Sequence, residues 1–88
     1  MAFVAKVFVT PKSAILDPQG KAVASSLKAL GYDEVEDARV GKLIVLRVAA
    51  TDRHRAEWRV EEMCRRLLAN EVIEDFAFEI EDGGKDAR

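Results

Sequence analysis

The chain has 88 residues, a formal net charge of −2 at pH 7 and 34% charged side chains. A single domain of this length buries only about 60–65% of the surface that its unfolded chain exposes, so self-association is expected to add stability. The mixed charge argues against a general nucleic-acid or membrane binder, which would be distinctly basic.

One cysteine, Cys64, and one histidine, His54, limit the chemistry of the chain. A lone cysteine excludes a disulfide within the chain and is typical of a reducing cytosol. One Cys and one His also exclude a structural zinc site built within this chain. No apolar run reaches the roughly 18 residues of a transmembrane helix, and the first residues lack the pattern of a signal peptide. We therefore expect a cytoplasmic protein.

The N-terminal part of the chain predicts a strand and then a helix. Apolar alternation marks a strand over about Phe3–Thr10. The helix is expected to begin after Asp17, a good N-cap, with Pro18 as its first residue. Gly31 should end it in the left-handed conformation, with Tyr32 folding back. The apolar stripe of this helix comprises Val23, Ala24, Leu27 and Leu30.

A hairpin is expected next. Its two strands cover about Glu34–Val40 and Leu43–Ala49. Gly41 and Lys42 form the two-residue turn between them, because such turns favour glycine at the first central position.

The C-terminal half predicts a second helix and a last strand. The helix begins near Thr51 or Asp52, and Asn70 is expected to end it in the left-handed conformation. The strand covers about Asp75–Glu81. The buried stripe of the helix comprises Ala56, Val60, Met63, Cys64, Leu67 and Leu68, and the strand turns Phe76, Phe78 and Ile80 inward.

This order of elements predicts an α+β fold of the βαββαβ type. We expect an antiparallel, ferredoxin-like sheet with both helices on one face. Residues 1–82 would form a single domain, and residues 83–88 a flexible polar tail.

The uncovered face of the predicted sheet is partly apolar. Its apolar residues are Val4, Phe8, Leu43 and Val45. Soluble monomers usually hide a patch of this kind, so we expect the protein to oligomerise through this face. Scattered apolar surface, which is common, is the alternative.

Two single residues stand out. Gly20 lies on the apolar stripe of the first helix and predicts close approach of the helix start to the sheet; approach by another subunit or by an anion stays open. Trp58 should lie on the solvent side of the second helix. It would contact a partner there, or lie along the stems of Arg55, Glu62 and Arg65.

Little in the chain predicts catalysis. His54 is expected on the surface, and Cys64 on the buried stripe, where a thiol stays inert. The carboxylates around the last strand alternate along exposed positions and lack the contrasting environments that acid–base chemistry needs. We expect no catalytic residue and no metal ligand in this chain.

Three short motifs follow one another along the chain. They are Asp17, Pro18, Gln19 and Gly20 at the first helix start, Gly41 and Lys42 at the hairpin, and Leu67, Leu68, Ala69 and Asn70 at the second helix end. At this separation, in a chain this short, they resemble the PurS family, and the resemblance extends from the first strand to Glu81. PurS is the small subunit of phosphoribosylformylglycinamidine synthase.

The resemblance implies a non-catalytic subunit of a larger enzyme of purine biosynthesis. In that family, a glutaminase subunit, PurQ, releases ammonia. A synthetase subunit, PurL, uses it with ATP to convert formylglycinamide ribonucleotide (FGAR) to formylglycinamidine ribonucleotide (FGAM). The small subunit would assemble the other two and assist ammonia transfer, as a dimer or a tetramer. It would bind no cofactor itself, whereas the complex uses ATP, Mg and glutamine.

An ACT-like domain, which senses small molecules at subunit interfaces, is the alternative with the same order of elements. Such a domain needs a flexible, glycine-rich loop between the first strand and the first helix. Residues 11–20 contain two prolines and one glycine, which is a poor match.

Overall fold

The computed structural model describes residues 1–83 and shows a three-stranded antiparallel sheet with two helices, which confirms the predicted α+β class. The strands are β1 (Ala2–Pro11), β2 (Lys42–Ala49) and β3 (Glu74–Asp82), and the helices are α1 (Pro18–Ala29) and α2 (Arg53–Met63). A π-helical turn, Cys64–Leu68, continues α2.

The most buried strand, β1, lies in the centre of the sheet, in the order β2-β1-β3. Val7 is opposite Ile44 on one side and Phe78 on the other, and Phe8 is opposite Leu43 and Ala77. Opposite residues of an antiparallel pair point to the same side of the sheet. This register therefore separates a face centred on Val7 from a face centred on Phe8.

The core lies between the Val7 face and α2. Ala5, Val7 and Val9 pack against Val60 and Cys64, and all five are buried. The other side chains packed against this core are half-buried: Ile44, Leu46, Val48, Leu68, Phe76, Phe78 and Ile80. Their partial exposure means that α2 does not cover the whole width of this face.

The second predicted strand, Glu34–Val40, is wrong, because residues 35–41 run in irregular backbone. The Val40 N–H donates to the Asp17 carboxylate (2.9 Å), so the backbone of this segment bonds to the start of α1 instead of to a sheet ladder.

The predicted hairpin turn is wrong for the same reason. Gly41 lies against β1, where an added Cβ would lie 2.3 Å from the Val9 carbonyl oxygen. Lys42 is the first residue of β2, opposite Val9.

The predicted position of the first helix on the sheet is also wrong. Within α1 (Pro18–Ala29) only Gly20 is buried, and Val23 is 40% exposed. The Cα radius of gyration is 16.4 Å, whereas a compact chain of this length has about 12 Å. The molecule is therefore a covered sheet with α1 extending beyond it.

The two ends of α1 form as the sequence predicts. Asp17 accepts a hydrogen bond from the Gly20 N–H (3.0 Å), and Pro18 is the first helical residue. Gly31 has φ 104°, its N–H donates to Lys28, and the Tyr32 N–H donates to the Leu27 carbonyl (3.0 Å). This is the glycine-ended helix stop expected of the sequence.

The end of α2 differs from the prediction. The π turn closes with the Ala69 N–H on the Cys64 carbonyl, and Ala69 then turns extended. Asn70 is not left-handed, since among the described residues only Gly31 has a positive φ. The wider turn also advances each residue by a smaller angle, which takes Leu67 off the buried stripe and leaves it 83% exposed.

The chain remains attached to the sheet after β3 ends at Asp82. The Gly83 N–H donates to the Ala2 carbonyl (2.8 Å), and Gly83 is buried. The remaining residues of the predicted tail, 84–88, lie outside the described residues.

Candidate interaction surfaces

The Phe8 side of the sheet, here called the open face, lies opposite α2. Phe8 is 39% exposed, Leu43 54% and Val45 46%. Val4 points to the same side but is 3% exposed, so it already lies buried within one protomer. The apolar surface offered by this face is therefore formed by Phe8, Leu43 and Val45.

Charged side chains border the open face along β3. Lys6 bonds Glu81, and Lys12 bonds Asp75, each at 3.0 Å. Exposed pairs of this kind contribute about 0–1 kcal/mol, so they mark the edge of the patch more than they stabilise the fold. All three strands carry charges on this face: Arg47 of β2 lies opposite Val4, and Lys6 of β1 lies between Val45 and Glu79. The exposed apolar patch of Phe8, Leu43 and Val45 therefore adjoins charged side chains.

The first PurS-like motif forms a junction between α1 and the segment before β2. One carboxylate oxygen of Asp17 accepts the Gly20 N–H and the other accepts the Val40 N–H. These two backbone donors, Gly20 first, lower the pKa of Asp17 below its ordinary value. Pro18 and Gln19 are exposed and leave the junction open to solvent on that side.

Gly20 allows this junction to close. A Cβ there would lie 2.3 Å from the Ala38 carbonyl oxygen and 2.6 Å from the Asp17 carboxylate. The close approach predicted for this glycine is real, but its neighbour is the Ala38 backbone and not the sheet. Nothing in the sequence pattern marks Ala38 or Val40 as its partners, because the contact is long-range.

The third PurS-like motif, Leu67 to Asn70, builds the turn into β3. Ala69 is buried, whereas Leu68 is half-buried and Leu67 exposed. Asn70 organises the turn with its side chain, which accepts the Val72 N–H (3.1 Å), while Glu74 accepts the Asn70 N–H (2.8 Å).

Arg65 ties this turn to α2. It bonds Glu61 at 2.9 Å and Glu71 at 2.6 Å, and its guanidinium lies 5.4 Å from the centre of the Phe76 ring. The hydrogen bond to Glu61 is the main cause of its raised pKa, so Arg65 stays charged at any physiological pH. These contacts hold the turn against α2, and the charge of Arg65 is paired with the carboxylates of Glu61 and Glu71.

Trp58 lies on the outer side of α2, as predicted, and is 54% exposed. The Arg55 guanidinium lies 4.9 Å from the ring centre and that of Arg59 lies 6.0 Å away. Arg55 therefore stacks on the indole as expected, and Arg59 is a second arginine that sequence reasoning did not place there. A partner contact through Trp58 stays a prediction.

The groups that could carry chemistry are dispersed. Burial raises the pKa of the Cys64 thiol, and nearby Glu61 raises it further. His54 is exposed on α2. Within residues 1–83, no group of three or more His, Cys, Asp or Glu side chains is placed to hold a metal ion. No helix in the described part of the chain is long and apolar enough to cross a membrane.

Residues 4–82 match the family model described as PurS: Phosphoribosylformylglycinamidine (FGAM) synthase. The chain belongs to the PurS family. This match includes both helices, β2, β3 and β1 from Val4 onward, so the family assignment rests on nearly the whole fold and not on one motif.

Individual PurS proteins agree with this assignment. The phosphoribosylformylglycinamidine synthase subunit PurS of Bacillus subtilis is 47% identical over 77 residues, which cover 88% of this chain and 90% of that protein. The structure of Thermus thermophilus PurS has a TM-score of 0.84 at 38% identity and covers 93% of this chain and 98% of that one.

A third PurS-like chain comes from the structure of PurLQS from Thermotoga maritima. It has a TM-score of 0.82 at 29% identity, with 91% of this chain and 98% of that chain covered. The likeness extends over nearly the full length of both chains.

Proposed function

We propose that this chain is the non-catalytic PurS subunit of phosphoribosylformylglycinamidine synthase. It brings the synthetase PurL and the glutaminase PurQ together and assists the passage of ammonia, so that FGAR is converted to FGAM with ATP and glutamine. The family match over residues 4–82 carries this proposal. The likeness to a chain of the Thermotoga maritima PurLQS structure supports it.

This chain acts by binding the other subunits and not by binding the substrates. ATP, Mg and glutamine are bound by the partner subunits. The chemistry-bearing side chains of the described residues support this division, since Cys64 is buried with a raised pKa and His54 lies alone on the surface.

Self-association through the open face is part of the proposal. Phe8, Leu43 and Val45 are exposed side by side on adjacent strands. Packing this patch against its copy across a two-fold axis would remove apolar area from water at a self-complementary surface.

Reconstitution tests the function. The purified chain is mixed with PurL and PurQ, and FGAM formation is followed with glutamine and, separately, with ammonium as the nitrogen source. We expect the glutamine-dependent rate to need this chain and the chain alone to be inactive. Equal glutamine-dependent rates with and without it would refute the proposal.

A further inference from the structure

The outer side of α2 places an exposed tryptophan between two arginines. Trp58 is 54% exposed and is the only tryptophan of the chain. The guanidinium groups of Arg55 and Arg59 both lie against its ring, and these three side chains are here called the Trp58 cluster. Tryptophan and arginine are enriched in the hot spots of protein–protein interfaces, and an indole buries a large apolar area when a partner covers it. The cluster therefore has the composition of a binding anchor.

Arg55 is the arginine of this cluster that is available to a partner. Arg59 is paired with Glu62 at 2.9 Å, whereas the Arg55 guanidinium lies over the indole and forms no ion pair within residues 1–83. A guanidinium that lies over an aromatic ring keeps the N–H groups at its edge, and these can bind a carboxylate through two parallel hydrogen bonds. Trp58 thus holds Arg55 in place for an acidic side chain.

Positive charge is concentrated around the cluster without a gain to the helix. Residues 53–59 contain three arginines and His54 against one acidic residue, Glu57, although the whole chain has a net charge of −2. The first turn of α2 has no acidic residue, and cations are unfavourable there because they face the positive end of the helix dipole. The carboxylate of Asp52, just before the helix, accepts the backbone N–H of Arg55 at 2.8 Å. Negative charge from outside the protomer would offset the remaining cations.

Two depressions adjoin the indole, and they differ in charge. The larger has a volume of about 390 Å³ and is lined by Thr51, Asp52, His54, Arg55 and Trp58. The smaller, of about 260 Å³, is lined by Trp58, Glu61, Glu62 and Arg65. In the smaller one the charges are already paired within the chain, Glu61 with Arg65 and Glu62 with Arg59. The larger depression is therefore the place where a carboxylate from a partner would meet Arg55.

We propose that the Trp58 cluster docks an acidic surface segment of another subunit of the synthase. A carboxylate of this segment binds Arg55 in the larger depression, and the apolar part of the segment covers the indole. A protein partner fits better than a nucleic acid, because phosphate backbones need several free cations in a row and Arg59 and Arg65 are paired with carboxylates. The inference rests on the proposed function, since it takes the partner from the same complex, and it involves neither face of the sheet.

The single tryptophan allows a direct measurement of docking. Trp58 is replaced biosynthetically by hydroxytryptophan, whose fluorescence is excited apart from the tryptophans of other proteins, and its quenching by acrylamide is followed. Adding unlabelled PurL or PurQ should remove most of the quenching with one of the two, and high salt should restore it. The inference would be overturned by quenching that neither subunit changes, by protection with single-stranded RNA alone, or by protection that depends on the concentration of this chain alone.

Trp58→Ala and Arg55→Glu test the same contact through activity. Glutamine-dependent FGAM formation is measured with fixed PurL and PurQ while the concentration of this chain is raised. Each variant should need about thirtyfold more chain for the half-maximal rate, which is the usual effect of losing a hot spot. The maximal rate should stay that of the wild type, because the cluster binds a subunit and takes no part in the chemistry. Arg55→Lys keeps the charge without the planar fork and should lie between the wild type and Arg55→Glu.

Arg66→Glu and Val72→Ala are the matched controls, because they reverse an exposed arginine and truncate an exposed apolar side chain outside the cluster. Both should behave like the wild type, and circular dichroism should show one fold for all variants, since every substituted side chain is exposed. A wild type that fails to raise the glutamine-dependent rate would count against the proposed function itself. If the wild type raises it, an unchanged half-maximal concentration for Trp58→Ala and Arg55→Glu, or a maximal rate that more chain does not restore, would exclude the docking site alone.

Discussion

At the scale of single residues, the contacts at the start of α1 explain why a glycine, Gly20, stands in the first turn of the helix. A glycine in a helix costs about 0.5–1 kcal/mol relative to alanine. At Gly20 this cost is offset because the Ala38 backbone approaches to a distance that no Cβ would permit. Asp17 joins the same two segments through both of its carboxylate oxygens.

Gly20→Ala is the first prediction. The added methyl group would overlap the Ala38 carbonyl, so we expect a loss of about 1–3 kcal/mol in the free energy of unfolding. Urea denaturation followed by circular dichroism measures it. Ser25→Ala, at an exposed position of the same helix, is the control and should stay within about 0.5 kcal/mol of the wild type. A Gly20→Ala variant as stable as the wild type would mean that this junction opens in solution.

The second prediction concerns pH. The folded-state pKa of Asp17 is lowered by the N–H groups of Gly20 and Val40. A lowered pKa contributes stability that is present above the unfolded pKa and is lost as pH falls through the folded pKa. Asp17→Ala should therefore be less stable than the wild type at pH 7, and the difference should shrink as pH falls below about 4. Melting temperatures between pH 2.5 and 7 test this, and a gap independent of pH would contradict it.

At the scale of elements, α2 holds the fold together. Val60 of α2 and Cys64 of the following π turn are buried in one cluster with β1, and Ala56, one turn earlier on the same side of the helix, is also buried. The π turn then changes the angular register, which buries Ala69 and exposes Leu67. By contrast, α1 contributes little to the core of its own protomer.

Val60→Ala is the third prediction. Val60 has no exposed surface and belongs to the central cluster. Truncating it should leave a cavity and lower the free energy of unfolding by about 2 kcal/mol or more. Val72→Ala is the matched control, because Val72 is 81% exposed, and it should change stability by less than about 0.5 kcal/mol. Equal effects of the two substitutions would mean that α2 is not packed on β1.

At the scale of the whole molecule, the sheet offers two different surfaces on its opposite sides. One is the open face with Phe8, Leu43 and Val45, and the other is a groove between β2 and α2, lined by Leu46, Val48 and Met63. Association of two copies through the open face would bury Phe8, Leu43 and Val45 at a self-complementary interface.

Val45→Asp is the fourth prediction. Within one protomer the new carboxylate would face Lys6, which is opposite Val45 in the sheet, so the fold should persist. In a dimer formed through two open faces, the new carboxylate would be buried, and burying a charge is energetically costly. The dimer should therefore dissociate, and the mass measured by light scattering should fall. Val72→Asp, which places the same charge on an exposed turn, should leave the mass unchanged. An unchanged mass for Val45→Asp would exclude the open face as an interface.

The sequence alone was enough to predict the features that depend on near neighbours. The Asp17 cap, the Gly31 stop and the alternation along β1 and β3 follow from local backbone preferences and from apolar periodicity. The same patterns predicted the α+β class, and the three short motifs predicted the family. The apolar residues of the open face were also predicted, because alternation along a strand shows which side chains share one face of the sheet.

Only the tertiary structure decided where α1 and the segment before β2 go. Periodicity shows that α1 has an apolar stripe, but it cannot say which surface, or which copy of the chain, that stripe faces. Val40 bonds to the start of α1 and Ala38 packs against it. Sequence periodicity does not predict these contacts, because they join residues that are far apart along the chain. Residues 35–41 therefore form irregular backbone instead of the predicted second strand. Likewise α1 does not pack on the sheet of its own protomer, so the core has one helix and not two.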